Sequence, residues 1–451
     1  MKLKRPTKLT IPTISLKKVI IIGTIIRYTL APITAHPFDV YAWFMMAQKV
    51  LKQGPGAIRP LWELTATACS YIANITSQAT GIYPTPISQL PPELNPHWGI
   101  KYIPGPIFNT IIKTPIIAAD IALTLLLYRI ALEHTKNRKT AQKTAELYYL
   151  NPITITITAI WGQYDSIPTL FTILSLYLIT TEHTYLSAIS LLTATAYKAY
   201  PIAFTIPTTI YLLKKKGKTE TIKYLTTTLA PLALITAYTP QQITNFIKYI
   251  LIPKPFYGIF GYGLTYWSIS LLTPLKYEPL KPIPIAIGAI LFTITTIATT
   301  KMEYKDQLKD LTTAYFLLTA TAFLSLRYPT EQRSILLLVL LLILTTKELT
   351  LIKPYIALSL IATIYAQKPF PQYLLPIATI NPNILLPIFR ITEPLRRYEK
   401  SRAITTIMPT TSSGLILATL GITFSVILAI IYANIINNII HKMTFSRYTS
   451  V

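Results

Sequence analysis

Apolar runs long enough to cross a ~30 Å hydrocarbon core recur along this chain, and short Lys/Arg-rich segments separate them. Val19–Ile33, Ile116–Ala131, Ile283–Thr299, Ser334–Leu344 with its flanks and Leu415–Ile431 are examples. Loops rich in Lys and Arg stay on the cytoplasmic side of a membrane, so the basic clusters orient the runs. A first helix is expected to run outward over Lys17–Thr34, followed by a long external loop over 35–104. A second helix returns over Pro106–Glu133, and two more follow at Glu146–Ile160 and Pro168–Thr181. Leu186–Tyr197 and Ile202–Leu213 read as short helices meeting outside at Lys198–Pro201, and a seventh exits near Tyr238. After a second external loop over Pro240–Pro282, helices are expected at Ile283–Thr300, Leu311–Leu326, Ser334–Thr346, Leu349–Tyr365, Tyr373–Phe389 and Ser413–Ile435. The fold class is therefore all-α, a polytopic membrane protein with about thirteen transmembrane helices, the N-terminus inside and the C-terminus outside.

Within the first loop, Val40–Gln53 carries aromatic and Met residues on one side of a helical pattern and Lys49, Lys52 and Gln53 on another. That pattern suits a helix lying in the membrane interface, or equally one packed beneath the loop. Thr is abundant within the helices, where its hydroxyl can bond a carbonyl one turn earlier.

Composition sharpens this picture. Hydrophobic residues make up 51% and charged ones 13% of the 451 residues, against about 25% charged in soluble domains. The net charge of +25 would suggest nucleic acid in a soluble protein. Here it is confined to clusters between apolar runs: Lys2–Lys18, Lys136–Lys143, Lys214–Lys218, and a later one of Arg390, Arg396, Arg397, Lys400 and Arg402. That is membrane topology, and it argues against a nucleic-acid partner. The single cysteine, Cys69, rules out an internal disulfide and a multi-Cys metal site.

Most acidic residues fall at the expected cytoplasmic ends. Asp39, in His36-Pro37-Phe38-Asp39, and Asp165, in Trp161-Gly162-Gln163-Tyr164-Asp165-Ser166, fall at external helix ends. A carboxylate there could take a proton from a sugar hydroxyl, or it could simply cap the next helix. Lys198 and Arg333 sit at external turns, where a cation could hold a lipid phosphate or snorkel to headgroups. Arg27 lies inside the first helix and requires a partner; Asp120 in the second is a candidate by chemistry. No metal or other cofactor is required, although a divalent metal between Asp39 and Asp165 is compatible with the sequence. His36, His97, His134, His183 and His441 show no ligand spacing.

Several of these segments together resemble the GT-C superfamily of membrane glycosyltransferases, and in particular the prokaryotic mannosyltransferase-like family related to the second mannosyltransferase of GPI-anchor synthesis. The matching pieces are Arg27 to Pro32 with His36–Asp39, Gly54-Pro55-Gly56, Lys113-Thr114-Pro115 with Ala119-Asp120, Leu147–Pro152 leading to Trp161–Ser166, and Tyr197-Lys198 before Pro201 and Pro207. They cover about the first half, so 1–240 is expected to form a GT-C-like module and 241–451 a variable C-terminal transmembrane region. The resemblance implies an inverting hexosyltransferase, a mannosyltransferase foremost. It would use a dolichyl- or polyprenyl-phosphate sugar donor and a glycan or glycolipid acceptor, at an external-face site of a multi-pass cell-membrane protein. Asp39 would be the catalytic base, with Asp165, Gln163, Trp161 and His36 binding substrate and Lys198 and Arg333 the donor phosphate. Two other readings stand beside it: a lipid-sugar flippase or transporter, and a non-catalytic subunit of a transferase complex, against which the presence of Asp39 counts.

Overall fold

A computed structural model describes residues 14–448 except 57, 96–98, 242–243, 245–260, 273–279, 281, 369 and 393–411. His97, Arg396, Arg397, Lys400 and Arg402 lie outside the described residues. The chain is all-α and of membrane type. A two-residue antiparallel pair, Thr85–Pro86 with Tyr102–Ile103, is the β-structure among the described residues.

The first half folds as α1 (Leu16–Leu30), α2 (Pro37–Gln53), α3 (Pro60–Thr80), α4 (Gly105–Thr135), α5 (Arg138–Tyr149), α6 (Pro152–Ile155), α7 (Ser166–Thr180), α8 (Thr184–Tyr197), α9 (Thr205–Lys215) and α10 (Gly217–Tyr238). The second half adds α11 (Pro282–Lys301), α12 (Gln307–Ser325), α13 (Ser334–Thr345), α14 (Ile352–Ala366) and α15 (Ser412–Tyr448). Side-chain acceptors start several of them by taking up first-turn N–H groups. Asn137 accepts from Lys139 and Thr140, Asn151 from Ile153 and Asp306 from Lys309. Thr hydroxyls do bond back one turn, as in Thr124 to the Asp120 carbonyl at 2.7 Å and Thr172 to Pro168 at 2.7 Å. Serines join α7 to α8: Ser175 and Ser187 bond each other's hydroxyl at 2.9 Å, and Ser190 donates to the Phe171 carbonyl at 2.7 Å. Small polar residues of this kind let apolar helices approach closely where burial alone gives little preference.

Among the described residues four helices are long and apolar enough to cross a membrane: Gly105–Thr135, Pro282–Lys301, Leu349–Ala366 and Gly414–His441. The expected count of about thirteen spans is not reached by this measure. The apolar run at α13 is a 12-residue helix buried on every side, about 18 Å long at 1.5 Å per residue. It is the middle of the bundle and not a lipid-facing span. The helix expected over Glu146–Ile160 is broken: α5 ends at Tyr149, Asn151-Pro152 restarts the chain, and Thr156–Trp161 continues as a π turn.

Two expectations are corrected outright. The loop over 35–104 holds two full helices: α2 was anticipated, whereas the 21-residue α3 was not. The helix expected over Tyr373–Phe389 is instead broken into two 3₁₀ segments, Gln372–Thr379 and Pro382–Ile384, and the start of a short α-helix at 386–392, because prolines at 371, 376, 382 and 387 each remove a backbone donor. This stretch does not cross the bundle. Arg390, expected at the cytoplasmic end, lies 3.5 Å from Glu93 of the first loop. With one crossing fewer, α15 runs the opposite way to expectation. Its early Gly421 packs against the backbone of Gly263 and Thr265, and Ile435–His441 reach the end where α1 begins. The C-terminal helix therefore finishes at the same end of the bundle as the N-terminus starts.

At that end the basic turns are tied together. His134 closing α4 meets Asp306 at 3.0 Å, Lys214 donates to the Met302 carbonyl at 2.9 Å, and Lys309 pairs with Glu348 at 2.6 Å. One buried apolar cluster, from Val19 through Tyr224 to Leu344 and Tyr432, draws on both halves of the chain.

Candidate functional site

Two buried cations set the frame. Arg27 of α1 and Asp120 of α4 are both fully buried and pair at 3.0 Å. The Tyr148 hydroxyl donates to the other Asp120 oxygen at 2.8 Å, and the Arg27 guanidinium donates to the Tyr149 carbonyl at 2.8 Å. Arg27 also lies over the Tyr149 ring, 3.9 Å from its centroid. The partner that Arg27 required is thus Asp120, which is a packing element and no part of the site. Lys113 of α4, also fully buried, is held without an acid. Its ammonium donates to the carbonyls of Ala31, Thr34 and Ile160, the orphan acceptors at the ends of α1 and of the π turn.

Above Lys113 the chain turns sharply. Gly162 has φ +77°, and a Cβ there would stand 2.9 Å from Lys113 Cε and 3.0 Å from Val40 Cγ2, so both the turn and the close packing require glycine. The start of α2 is fastened to this turn. The His36 N–H donates to the Trp161 carbonyl at 3.0 Å, Trp43 Nε1 donates to the Gly162 carbonyl at 3.2 Å, and the His36 and Trp161 rings lie 4.8 Å apart. Tyr164 stacks on Trp62 of α3 at 4.0 Å, with Trp43 edge-on to both. The helices of the first loop are thus bonded onto the Trp161–Ser166 segment, and Val40, Trp43, Ala47 and Val50 face inward while Lys49 and Lys52 stay exposed.

This architecture brings the sequence-singled residues together. Asp39 Oδ2 lies 3.0 Å from His36 Nδ1, and the Gln163 side chain is near enough to act on the same carboxylate. Asp39 lies outside the four candidate spans. Burial alone would raise its carboxyl, but the His36 charge and hydrogen bond, the Gln163 side chain and the Lys198 ammonium outweigh that and hold it below the usual carboxylate range. Asp165, nearly fully buried, accepts from Lys198 Nζ through both oxygens at 2.8 and 2.7 Å. Neither aspartate is a simple cap. The N-cap of α2 is His36, and Asp165 occupies the N-cap position of α7 without a capping bond. Arg333 stands on a 3₁₀ turn before α13, close enough for its charge to act on Lys198.

The sequence reading missed Lys368 and its partner role for Glu331. The two form an ion pair, with the ammonium 4.2 Å from the Tyr262 centroid, 4.9 Å from Tyr365 and 5.9 Å from Trp161. The available signal was a lysine at a helix end in Gln367-Lys368-Pro369-Phe370-Pro371. Among the described residues no group of three or more His, Cys, Asp or Glu side chains is arranged to hold a metal. Both Asp165 oxygens are already committed to Lys198.

The family model "GPI transamidase subunit PIG-U" matches residues 93–252. The match covers about a third of the chain, from the turn before α4 to just beyond α10, and includes Lys113, Asp120, Trp161, Gln163, Asp165 and Lys198. No curated protein sequence matches the chain. The GT-C likeness holds at the coarser level of a GT-C-like membrane family. The finer reading is overturned: the family concerned is a transamidase subunit, neither a mannosyltransferase nor a flippase. The glycosyltransferase activity falls with it, and the dolichyl- or polyprenyl-phosphate donor and the glycan acceptor are left without support.

Proposed function

We propose that this chain is a non-catalytic, membrane-embedded subunit of a multi-subunit assembly of the GPI-transamidase kind, which attaches proteins to glycolipid anchors. On this reading the described residues up to 240 supply a GT-C-like frame, and those beyond it the second wall of the bundle. Besides the family match, the closed state of the charges carries this reading. Lys198 spends both of its short bonds on Asp165, and Asp39 is held as a carboxylate by His36 and Gln163. Such groups fix the relative positions of α2, α7 and α8, and a buried, hydrogen-bonded ion pair serves specificity of structure better than turnover. The His36 and Trp161 rings, 4.8 Å apart, would suit a polar headgroup held against aromatic surface. The basic turns around Lys136–Lys143, Lys214–Lys218 and Lys301–Lys309 favour a cytoplasmic position for that end, with Asp39 on the other side.

The presence of Asp39 argued against a subunit role only so long as that acid was read as free. The test is the mass of the species extracted in mild detergent from native membranes through a tag on this chain. A stoichiometric complex well above the 50.7 kDa chain with its detergent is expected. A monodisperse particle holding this chain alone would overturn the proposal.

A further inference from the structure

The end of the bundle opposite Asp39 contains an open cavity of about 1040 Å³, which the family match and the subunit reading leave unused. It lies between the end of α11, the turn into α12, the end of α13 and the late part of α15. Its inner wall is apolar, formed by Met302, Leu344, Ile435 and Ile439, and charged residues line the rest.

Most of those charges cancel in pairs. Lys305 meets Glu303 at 2.7 Å, Lys309 meets Glu348 at 2.6 Å, and Asp306 meets His134 at 3.0 Å. Asp310 and His441 are also engaged. Among the described residues, Lys301 and Lys347 line the cavity without an ion-pair partner, and both are exposed. They come from different elements, one closing α11 and the other just past the end of α13. The cavity thus offers, beside an apolar wall, two ammonium groups that make no salt bridge among the described residues, although the Lys347 charge also acts on Asp306.

Depth decides which anion fits. α11 is one of the membrane-length helices and ends at Lys301, at the cavity. An apolar span that finishes there would set the cavity mouth near headgroup level, with its apolar wall toward the acyl region. A free phosphate would use the lysines and leave Met302, Leu344, Ile435 and Ile439 facing water. A phosphate carried on acyl chains would use both. Basic pockets between helices at this level are a general means of holding anionic lipid headgroups.

We propose that this cavity is a binding site for the phosphate headgroup of an anionic phospholipid, gripped by Lys301 and Lys347 with its chains against Ile435 and Ile439. The probe is dihexanoyl phosphatidic acid, titrated against the purified full chain in a non-ionic detergent by calorimetry. Inorganic phosphate and dihexanoyl phosphatidylcholine serve as comparison arms. Saturable binding of the acidic lipid is expected, weakened roughly 30-fold in Lys301→Gln/Lys347→Gln, as follows from losing two surface lysine–phosphate attractions. Lys305→Gln, whose charge is committed to Glu303, should shift binding by less than about threefold on the same scale. Circular dichroism of each variant verifies that the fold is retained, and Lys301→Arg/Lys347→Arg, which keeps both charges, should bind nearly as wild type. Absence of binding, equal binding of the double Gln variant, or equal affinity for inorganic phosphate or phosphatidylcholine would each overturn the proposal.

Discussion

The two charged ends of this bundle are built on different terms. At the Asp39 end the acids are buried and paired with buried or half-buried cations: Asp165 with Lys198, Glu331 with Lys368, and below them Asp120 with Arg27. At the opposite end the charges are exposed or half-buried around an open cavity, and two lysines make no salt bridge among the described residues. The contrast separates two uses of charge in one membrane protein. Matched and buried, a charge becomes a joint between helices, because losing either partner strands the other in a low dielectric. Exposed and unmatched, it contributes little to folding and stays available to a ligand.

That difference can be broken from the stable side first. Asp120→Ala leaves Arg27 fully buried without its counter-charge, so a loss of about 3–5 kcal/mol is expected, read as denaturant or thermal unfolding in micelles. Arg27→Met/Asp120→Leu should recover most of it, since an apolar pair of similar volume removes the stranded charge. Lys198→Met should cost less, about 2–3 kcal/mol, because the lysine is partly exposed and water can reach the Asp165 it leaves behind. A double-mutant cycle with Asp165→Asn should return a coupling of the same sign. Gly162→Ala follows at about 1–3 kcal/mol, from the left-handed backbone and the contacts its methyl would make with Lys113 and Val40.

Asp39 sharpens the comparison through pH. Its carboxyl titrates below the unfolded-chain value, so its stabilisation is complete above that value, about pH 4, and is lost as the pH falls through the lower folded value. The melting temperature of the wild type should therefore fall more steeply on acidification in that window than that of Asp39→Asn; parallel curves would remove the charge of Asp39 from the account. The smallest effect belongs to the other end, where Lys301→Gln/Lys347→Gln should leave unfolding unchanged while altering lipid binding.

Much of this was legible in the sequence for a physical reason. Long apolar runs and clustered lysines announce a bundle whatever its details, and an arginine within a span demands an acid, which the structure supplies as Asp120. The Trp161–Ser166 segment could be singled out because it packs several polar groups between two apolar runs. What escaped notice depended on proline and on composition. Tyr373–Phe389 has the hydropathy of a span, yet its prolines break it into short 3₁₀ and α segments, and that one lost crossing reverses α15. α3 was hidden because its Thr, Ser and Ala residues read as loop, whereas its helix is held by Trp62 and Ala66 against α2 and α4. The chemistry went furthest astray. Proximity of Asp39, Asp165 and Lys198 was anticipated and is observed, but residue type cannot reveal that Lys198 is already spent on Asp165.

The most direct measurement offers the purified chain radiolabelled polyprenyl-phosphate hexoses together with a lipid extract of its own membranes, and resolves the products. If the matched charges form a frame and not a reaction centre, wild type and Asp39→Asn will yield the same background. Labelled glycolipid formed by the wild type and missing from Asp39→Asn would contradict the account.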